Sequence, residues 1–292
     1  MPEGHSVHRL ARQFGSVFVG ERLSISSPQG RFAAGARRID GQTLVGSRAH
    51  GKQLFLTFDN DLELRVHLGL YGAWSFGGDD TFRGASSIGA PRRVGEQETS
   101  DDGEELTYAG PPTPVGAVRV RLVASHGWAD LRGPTACEVL TSGESAMIES
   151  KLGPDPLDPH ADPEAFTARV RRSRTPIAAL LMNQSVIAGV GNVYRAEVLF
   201  RRRLNPQTPG RELSTTDVQA LWSEAVAAML NGVRNGRIVT TDPLIWGGGV
   251  ATPEEAHYVY RRAGKQCRVC NAKVLVSELA ARKLYWCPDC QS

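Results

Sequence analysis

Cys267-Arg268-Val269-Cys270 and Cys287-Pro288-Asp289-Cys290 stand near the end of the chain, two Cys-x-x-Cys pairs separated by 16 residues. Four thiolates at this spacing are the ligand set of a tetrahedral zinc ribbon. The tail around them, about 35 residues long, has too few apolar side chains to hold itself together, and metal binding supplies about 10–16 kcal/mol of folding free energy in such modules. Four sulfur ligands also fill the coordination shell, so a zinc held here is structural and does not activate water. Two disulfides or a redox dithiol are the competing use of these cysteines, disfavoured in a chain with no thioredoxin-like pattern. The fifth cysteine, Cys137, reads as a small buried hydrophobe.

Upstream of this tail, Gly247-Gly248-Gly249 reads as a connector, and before it the apolar residues recur with helical period. Thr216 to Asn231 places Val218, Leu221, Trp222, Ala225, Val226 and Met229 on one face, and Pro163 to Arg172, Pro176 to Asn183 and Asn192 to Arg203 read as further helices. Pro154, Pro156, Pro159 and Pro163 crowd into ten residues, too dense for a helix or a central strand, and mark a hinge. On the other side of the hinge the pattern is that of strands. Val17 to Val19, Arg22 to Ser26, Thr43 to Ser47, Gln53 to Phe58, Leu62 to Leu68, Gly72 to Phe76, Gly116 to Ala124 and Trp128 to Leu131 are short runs punctuated by Gly, Asn and Asp. No helical pattern separates them, so an antiparallel β-sandwich fits better than βαβ units. One helix precedes them, with Val7, Leu10, Ala11 and Phe14 on its apolar face between Gly4 and Gly15. The expected architecture is α+β and multidomain: a β-sandwich domain over 1–150, a linker over 151–165, a helical domain over 166–246 and a zinc finger over 247–292.

A chain of 292 residues with 41% hydrophobic content is long enough for two cores. It contains no apolar run of membrane-spanning length and no basic-then-apolar signal region, so no membrane partner and a cytoplasmic location are expected. The net charge of +3 divides unevenly: residues 166–292 hold 18 Lys and Arg against 9 Asp and Glu, whereas residues 1–165 hold 16 against 22. Glu96, Glu98, Asp101, Asp102, Glu104 and Glu105 account for much of that acidity and read as one solvated loop. The C-terminal half is therefore a candidate polyanion surface. The excess of 29 Arg over 5 Lys is not evidence of recognition by itself.

Chemistry enters at the other end of the chain, in Pro2-Glu3-Gly4. Once Met1 is removed, Pro2 presents a secondary amine able to attack a sugar C1′ and become an iminium, with Glu3 beside it to protonate the ring oxygen as the sugar opens. The positive end of a helix starting here favours the neutral amine, and the charge of Glu3 opposes that bias. Taken alone, the same residues are an ordinary helix start, with proline at the first helical position and an acid in the first turn.

Pro2-Glu3-Gly4, Gly189-Val190-Gly191-Asn192 and the four-cysteine finger together resemble the formamidopyrimidine-DNA glycosylase and endonuclease VIII family of base-excision repair enzymes, over nearly the whole chain. The resemblance implies Pro2 as nucleophile, Glu3 as acid/base, and Lys52 of His50-Gly51-Lys52-Gln53 as a catalytic and phosphate-gripping lysine; taken bare, Lys52 is a solvated charge. Gln184 to Asn192 then resembles the turn of a helix-two-turn-helix, with Asn192 offering a phosphate donor, or simply an N-cap. Arg282, five residues before Cys287, matches the family's finger arginine, whose planar fork suits phosphate capture; otherwise it is an exposed turn residue. His67 and Tyr260 match phosphate contacts of the family and also suit satisfied core groups.

Leu70-Tyr71-Gly72 resembles the void-filling segment of the endonuclease VIII branch, which prefers oxidised pyrimidines, and the same two side chains also suit a strand end in the core. Ser6 is a departure, standing where many members carry a second glutamate. The implied protein is a monomeric DNA glycosylase and abasic-site lyase acting by β,δ-elimination on duplex DNA with oxidised bases or abasic sites, nucleoid-associated, with one structural zinc and no catalytic metal or organic cofactor. The rival readings are an oxidised-purine glycosylase of the same family and a non-catalytic zinc-finger DNA-binding protein.

Overall fold

Val7, Leu10 and Phe14 lie at helical spacing and are all buried, and this apolar stripe makes α1 (Gly4–Val17). The helix runs further than its sequence pattern suggests. Phe18 donates its N–H to the Phe14 carbonyl at 2.9 Å and packs its ring 5.6 Å from that of Phe14, so Val17 to Val19 form a helix end, not a strand. The i,i+4 phenylalanine pair packs on Phe76 and Trp74 and overrides the strand propensity of the two valines.

The computed structural model describes residues 2–90 and 110–292; the acidic run Glu96 to Glu105, read as a solvated loop, lies outside the described residues. The chain forms two units, Met1–Ser150 and Lys151–Ser292. In the first, α1 is followed by β1 (Ser24–Ser26), α2 (Ala33–Ile39), β2 (Leu44–His50), β3 (Gln53–Phe58), β4 (Leu62–His67), β5 (Ala73–Gly78), β6 (Ser87–Gly89), β7 (Val118–Val123), β8 (Gly127–Arg132), β9 (Ala136–Thr141) and α3 (Ser142–Glu149). The strands form two antiparallel sheets, ordered β2-β3-β4-β9 and β1-β7-β8-β5-β6. Leu54, Leu56, Leu64 and Val66 from the first sheet share one core with Trp74, Phe76, Val120, Leu122 and Leu131 from the second, closed by α1. This is the β-sandwich expected from the strand pattern.

Two helices interrupt the sandwich that the sequence pattern presented as strands alone. α2 buries only Ala36 and Ile39, too little to register as a period. α3 announces itself chemically instead: Thr141 and Glu144 form a reciprocal capping box, and the bonds from Thr141 hold the Glu144 carboxyl below its usual range. Half-buried Cys137 packs against the core on β9, where burial pushes its thiol up to about 12, in keeping with a packing role.

The second unit contains α4 (Pro163–Arg171), α5 (Ile177–Leu180), α6 (Asn192–Arg201), α7 (Thr215–Asn235), β10 (Leu275–Leu279) and β11 (Arg282–Trp286). Asp162 and Ser214 cap α4 and α7, and Gly236 ends α7 in the left-handed region at φ +71°. The proline-rich stretch is tied into this unit, with Gly153 N–H bonding to the Gln184 carbonyl and Ala188 N–H to the Pro154 carbonyl. The cysteine tail is not a free-standing module: Val274, Cys267 and Cys287 share a core with Val193, Ala196 and Phe200 of α6. Among the described residues no helix is long and apolar enough to cross a membrane.

Phe14 is fully buried under three aromatic rings, and Phe14→Ala is expected to lower unfolding free energy by about 3–5 kcal/mol. Urea titration followed by tryptophan fluorescence measures the change.

Candidate functional site

Pro2 and Glu3 precede α1. The helix begins at Gly4 with Glu3 as its N-cap residue, in extended conformation (φ −125°, ψ −174°), and the Glu3 carboxylate makes no capping bond. The entry is closed by main chain, Ser6 N–H donating to the Glu3 carbonyl at 3.0 Å. The ordinary proline-first helix start is therefore not what forms. Both residues are buried, Glu3 completely, and a carboxylate is seldom buried to that degree without a partner or a task. His5 follows, buried, with Nε2 3.2 Å from Ser6 Oγ. Burial, with the like charge of Arg9 and His8 added, pulls its imidazole down to about 3, so it is neutral at physiological pH.

Lys52 takes the second position of the two-residue loop joining β2 to β3. Gly51 before it adopts φ +57°, the first position of a II′ hairpin turn, and His50 pairs with Gln53 to close the hairpin. Gln53 in turn pairs with His67, so Lys52 and His67 share one end of the four-stranded sheet. Burial, then the charges of Lys52 and Arg65, hold the His67 imidazole below its ordinary value.

Beyond β4 the chain turns through Leu68-Gly69-Leu70-Tyr71-Gly72. Gly69 has φ +66°, and a Cβ there would lie 1.8 Å from Thr135 Oγ1; a Cβ on Gly72 would lie 2.3 Å from the Leu68 carbonyl oxygen, to which Gly72 donates its N–H. The turn thus admits little besides glycine at both positions. At its tip Leu70 is 43% and Tyr71 80% exposed, which overturns the reading of these residues as core. Two large apolar side chains are thus held in water on a tight turn.

In the second unit, the turn before α6 is organised by a side chain that sequence reading missed. Gln184 donates through Nε2 to the Met182 and Val190 carbonyls and accepts through Oε1 from Gly189 N–H, where φ is +86°. Gly191, not Asn192, is the N-cap of α6. Asn192 is the first helical residue, and its Nδ2 donates to the Lys283 carbonyl at 3.0 Å while its Oδ1 accepts from Arg195. The N-cap alternative for Asn192 gives way, and its amide ties α6 to β11.

Arg282 is exposed at the start of β11, and Tyr260 is buried with its ring edge-on to His257 and Tyr285. The Tyr260 N–H goes to Glu197 Oε1 at 2.8 Å. Glu197 and Arg195 were not foreseen. Their signal was two opposite charges two residues apart in an otherwise apolar helical run, all of it now buried from Asn192 to Phe200. The hairpin tip, Ala280-Ala281, has φ +55° and +53°. That is the backbone of a I′ turn, which costs about 1–2 kcal/mol for each residue bearing a Cβ.

The Sγ atoms of Cys267, Cys270, Cys287 and Cys290 all lie within 4.8 Å of one another, with Cys267 to Cys290 at 3.9 Å and Cys270 to Cys287 at 3.4 Å. Tetrahedral Zn–S bonds of about 2.3 Å require sulfurs about 3.8 Å apart. All four thiols are unpaired, so the disulfide alternative does not form. Buried Gln291 braces the second knuckle, accepting from Cys287 N–H and donating to the Leu204 carbonyl. The residues are positioned to bind a metal ion.

The family model for the formamidopyrimidine-DNA glycosylase N-terminal domain matches residues 1–115, and that for the formamidopyrimidine-DNA glycosylase H2TH domain matches 152–243. The chain is 42% identical to Endonuclease 8 1 of Mycobacterium tuberculosis over 304 aligned residues, covering 100% of each protein. It belongs to the formamidopyrimidine-DNA glycosylase and endonuclease VIII family. To the formamidopyrimidine-DNA glycosylase of Acidovorax ebreus this glycosylase is 29% identical, over 100% of its own length and 99% of the relative's. Its fold matches that of the Lactococcus lactis enzyme bound to DNA containing N7-benzyl-Fapy-dG (TM-score 0.74, 21% identity, all of both chains). It also matches that enzyme bound to DNA with an abasic site (TM-score 0.73, 21% identity, 99% of both). Its enzyme class is accordingly DNA glycosylase, with abasic-site lyase activity typical of the family.

Cys287→Ser is expected to bring bound metal close to zero per chain by elemental analysis, with loss of the β10–β11 hairpin amide signals. Because the folded His5 binds its proton only near pH 3, its contribution to stability is complete above about pH 6.5 and falls by about 1.4 kcal/mol per pH unit below that. Denaturation at pH 7 and pH 5 should therefore show a smaller loss for His5→Gln than for the parent.

Proposed function

We propose that this glycosylase excises oxidised bases, pyrimidines preferred, from duplex DNA and then cuts the strand through an imine on Pro2. The observation that carries the reading is the pair Pro2-Glu3, buried ahead of α1, with the Glu3 carboxylate not used to cap the helix. A helix start has no use for that arrangement, whereas a nucleophile with its acid beside it does. With Met1 removed, the Pro2 amine makes two bonds to C1′ using its lone pair and its N–H electrons. The base leaves with the glycosidic electron pair and takes up the proton the amine gives up; O4′ leaves C1′ with its pair and takes a proton from Glu3. The resulting iminium accepts electrons as the C2′ proton departs and the C3′–O bond breaks. Loss of the C4′ proton with rupture of C5′–O completes the δ step, and water hydrolyses the imine.

Lys52 and His67, together at one end of the sheet, and Arg282, exposed on the finger, are assigned to phosphates; Leu70 and Tyr71 fill the void left by the extruded nucleotide. Tyr260, packed edge-on to Tyr285, and Asn192, tied to the Lys283 carbonyl, are likewise assigned to DNA contacts. The 42% identity to an endonuclease VIII relative and the Leu70-Tyr71 tip support the pyrimidine preference. The metal is assigned as one structural zinc, because four thiolates leave no open coordination position. The enzyme works as a monomer on chromosomal DNA in the cytoplasm.

Borohydride is expected to trap the mature protein covalently on duplexes carrying an abasic site or an oxidised pyrimidine. Pro2→Gly and a retained Met1 should each reduce trapping at least 100-fold, on the order expected of a lost nucleophile. Glu3→Gln should spare abasic-site trapping more than base removal. Trapping on the abasic site alone sinks the pyrimidine assignment, faster excision of oxidised guanine moves it to the purine branch, and tight binding with no covalent product leaves a binding protein only. Leu70→Ala with Tyr71→Ala should lower kcat/KM on duplex lesions by about tenfold or more while sparing single-stranded substrates, given an unstacking cost of a few kcal/mol.

A further inference from the structure

Lys283 lies one residue past the Leu279–Arg282 pair that closes the β10–β11 hairpin, so its carbonyl points away from β10 and requires a partner outside the ribbon. α6 supplies two. Arg195 Nη2 donates to it at 3.1 Å and Asn192 Nδ2 at 3.0 Å, while Arg195 Nη1 reaches the Leu279 carbonyl at 3.1 Å on the other strand. The fork of one fully buried arginine therefore spans the base of the turn, and between its two anchor points stand only Ala280, Ala281 and Arg282. The turn it spans is the one with two alanines in the left-handed region, a backbone that relaxes unless its surroundings over-determine it.

We propose that Arg195 is a positioning residue for Arg282: its fork holds the Ala280-Ala281 turn in shape and so aims the finger guanidinium at a DNA phosphate. The clamp joins α6 to the finger tip, making the reading head of the second unit one rigid body. The planar fork is essential to this role, because an ammonium at the same place reaches one carbonyl and leaves the other strand free to swing. The inference rests on the assignment of Arg282 to a phosphate contact.

The test is a set of variants whose affinity for a duplex with a tetrahydrofuran abasic analogue is read by anisotropy over a salt series, with bound zinc measured in parallel. Arg282→Ala is expected to weaken binding about 10–100-fold, the range for a charged hydrogen bond, and to lower the salt slope by about 0.9. Arg195→Gln should do the same with zinc retained, and the double variant should be no weaker than either single one. Adding Ala280→Asn and Ala281→Gly, the pair that favours a I′ turn, should return most of the affinity lost by Arg195→Gln. Parent-like binding by Arg195→Gln, additivity with Arg282→Ala, or failure of the relaxed turn to rescue overturns the proposal. If Arg195→Gln does not hold zinc, Arg195→Lys decides in its place. Loss of zinc from both makes Arg195 a folding residue and overturns the positioning role. An Arg282→Ala variant that binds like the parent removes the phosphate assignment itself, a failure distinct from that of the clamp.

Discussion

Glu197 accepts four hydrogen bonds inside the second unit: from the main-chain N–H groups of Tyr258, Val259 and Tyr260, and from the Thr240 hydroxyl. A buried carboxylate is tolerable only when its lone pairs are filled in this way, and filling them fixes where three consecutive residues of the returning chain must lie. The connector after α7 and the approach to Cys267 are both registered on one side chain. Removing that carboxylate would leave the buried N–H groups of Val259 and Tyr260 unsatisfied, so the segment cannot drift without a cost on the order of 1–3 kcal/mol for each. Arg195 does the same for the finger hairpin from the same helix, two residues earlier.

α6 therefore holds polar ties to both segments that follow it. Its apolar faces join two cores: Tyr194, Val198 and Leu199 pack with α7, while Val193, Ala196 and Phe200 pack against the cysteine knuckles. A cysteine cluster with few apolar residues of its own gains a hydrophobic floor in this way, so the tail draws on burial as well as on its capacity for coordination. In the first unit the comparable constraint is steric. Gly69 and Gly72 admit the main chain where a Cβ would collide, and the tight turn between them presents Leu70 and Tyr71 to water.

Much of the molecule was legible in the chain. Punctuation by Gly, Asn and Asp named Gln53 to Phe58 as a strand, because strands end where the chain turns, and apolar residues at period 3.6 named the long helix at Thr216, because that helix buries one face. The Cys-x-x-Cys spacing located a metal site, since the ligands of one ion on paired knuckles must recur at that interval. The family itself was readable from three short segments lying far apart. α2 and β6 were hidden because elements with few buried residues carry no period, and the capping box of α3 was present but overlooked.

What the residue order could not decide was the fate of single polar side chains. Asn192 and Arg195 are as compatible with a solvent-facing helix start as with a buried clamp, and only the arrival of β11 alongside α6 turns the Lys283 carbonyl toward them. Glu3 reads as a first-turn acid until the helix is seen to begin at Gly4, two residues after Pro2, with the Glu3 carboxylate left out of the cap. The amino-acid sequence alone thus determined the elements that bury a long face, the ligand spacing and the family, because those follow from local periodicity and fixed intervals. Tertiary structure decided which charges are buried, which turns are rigid and which side chains meet, because desolvation and hydrogen-bond geometry depend on neighbours far away along the chain.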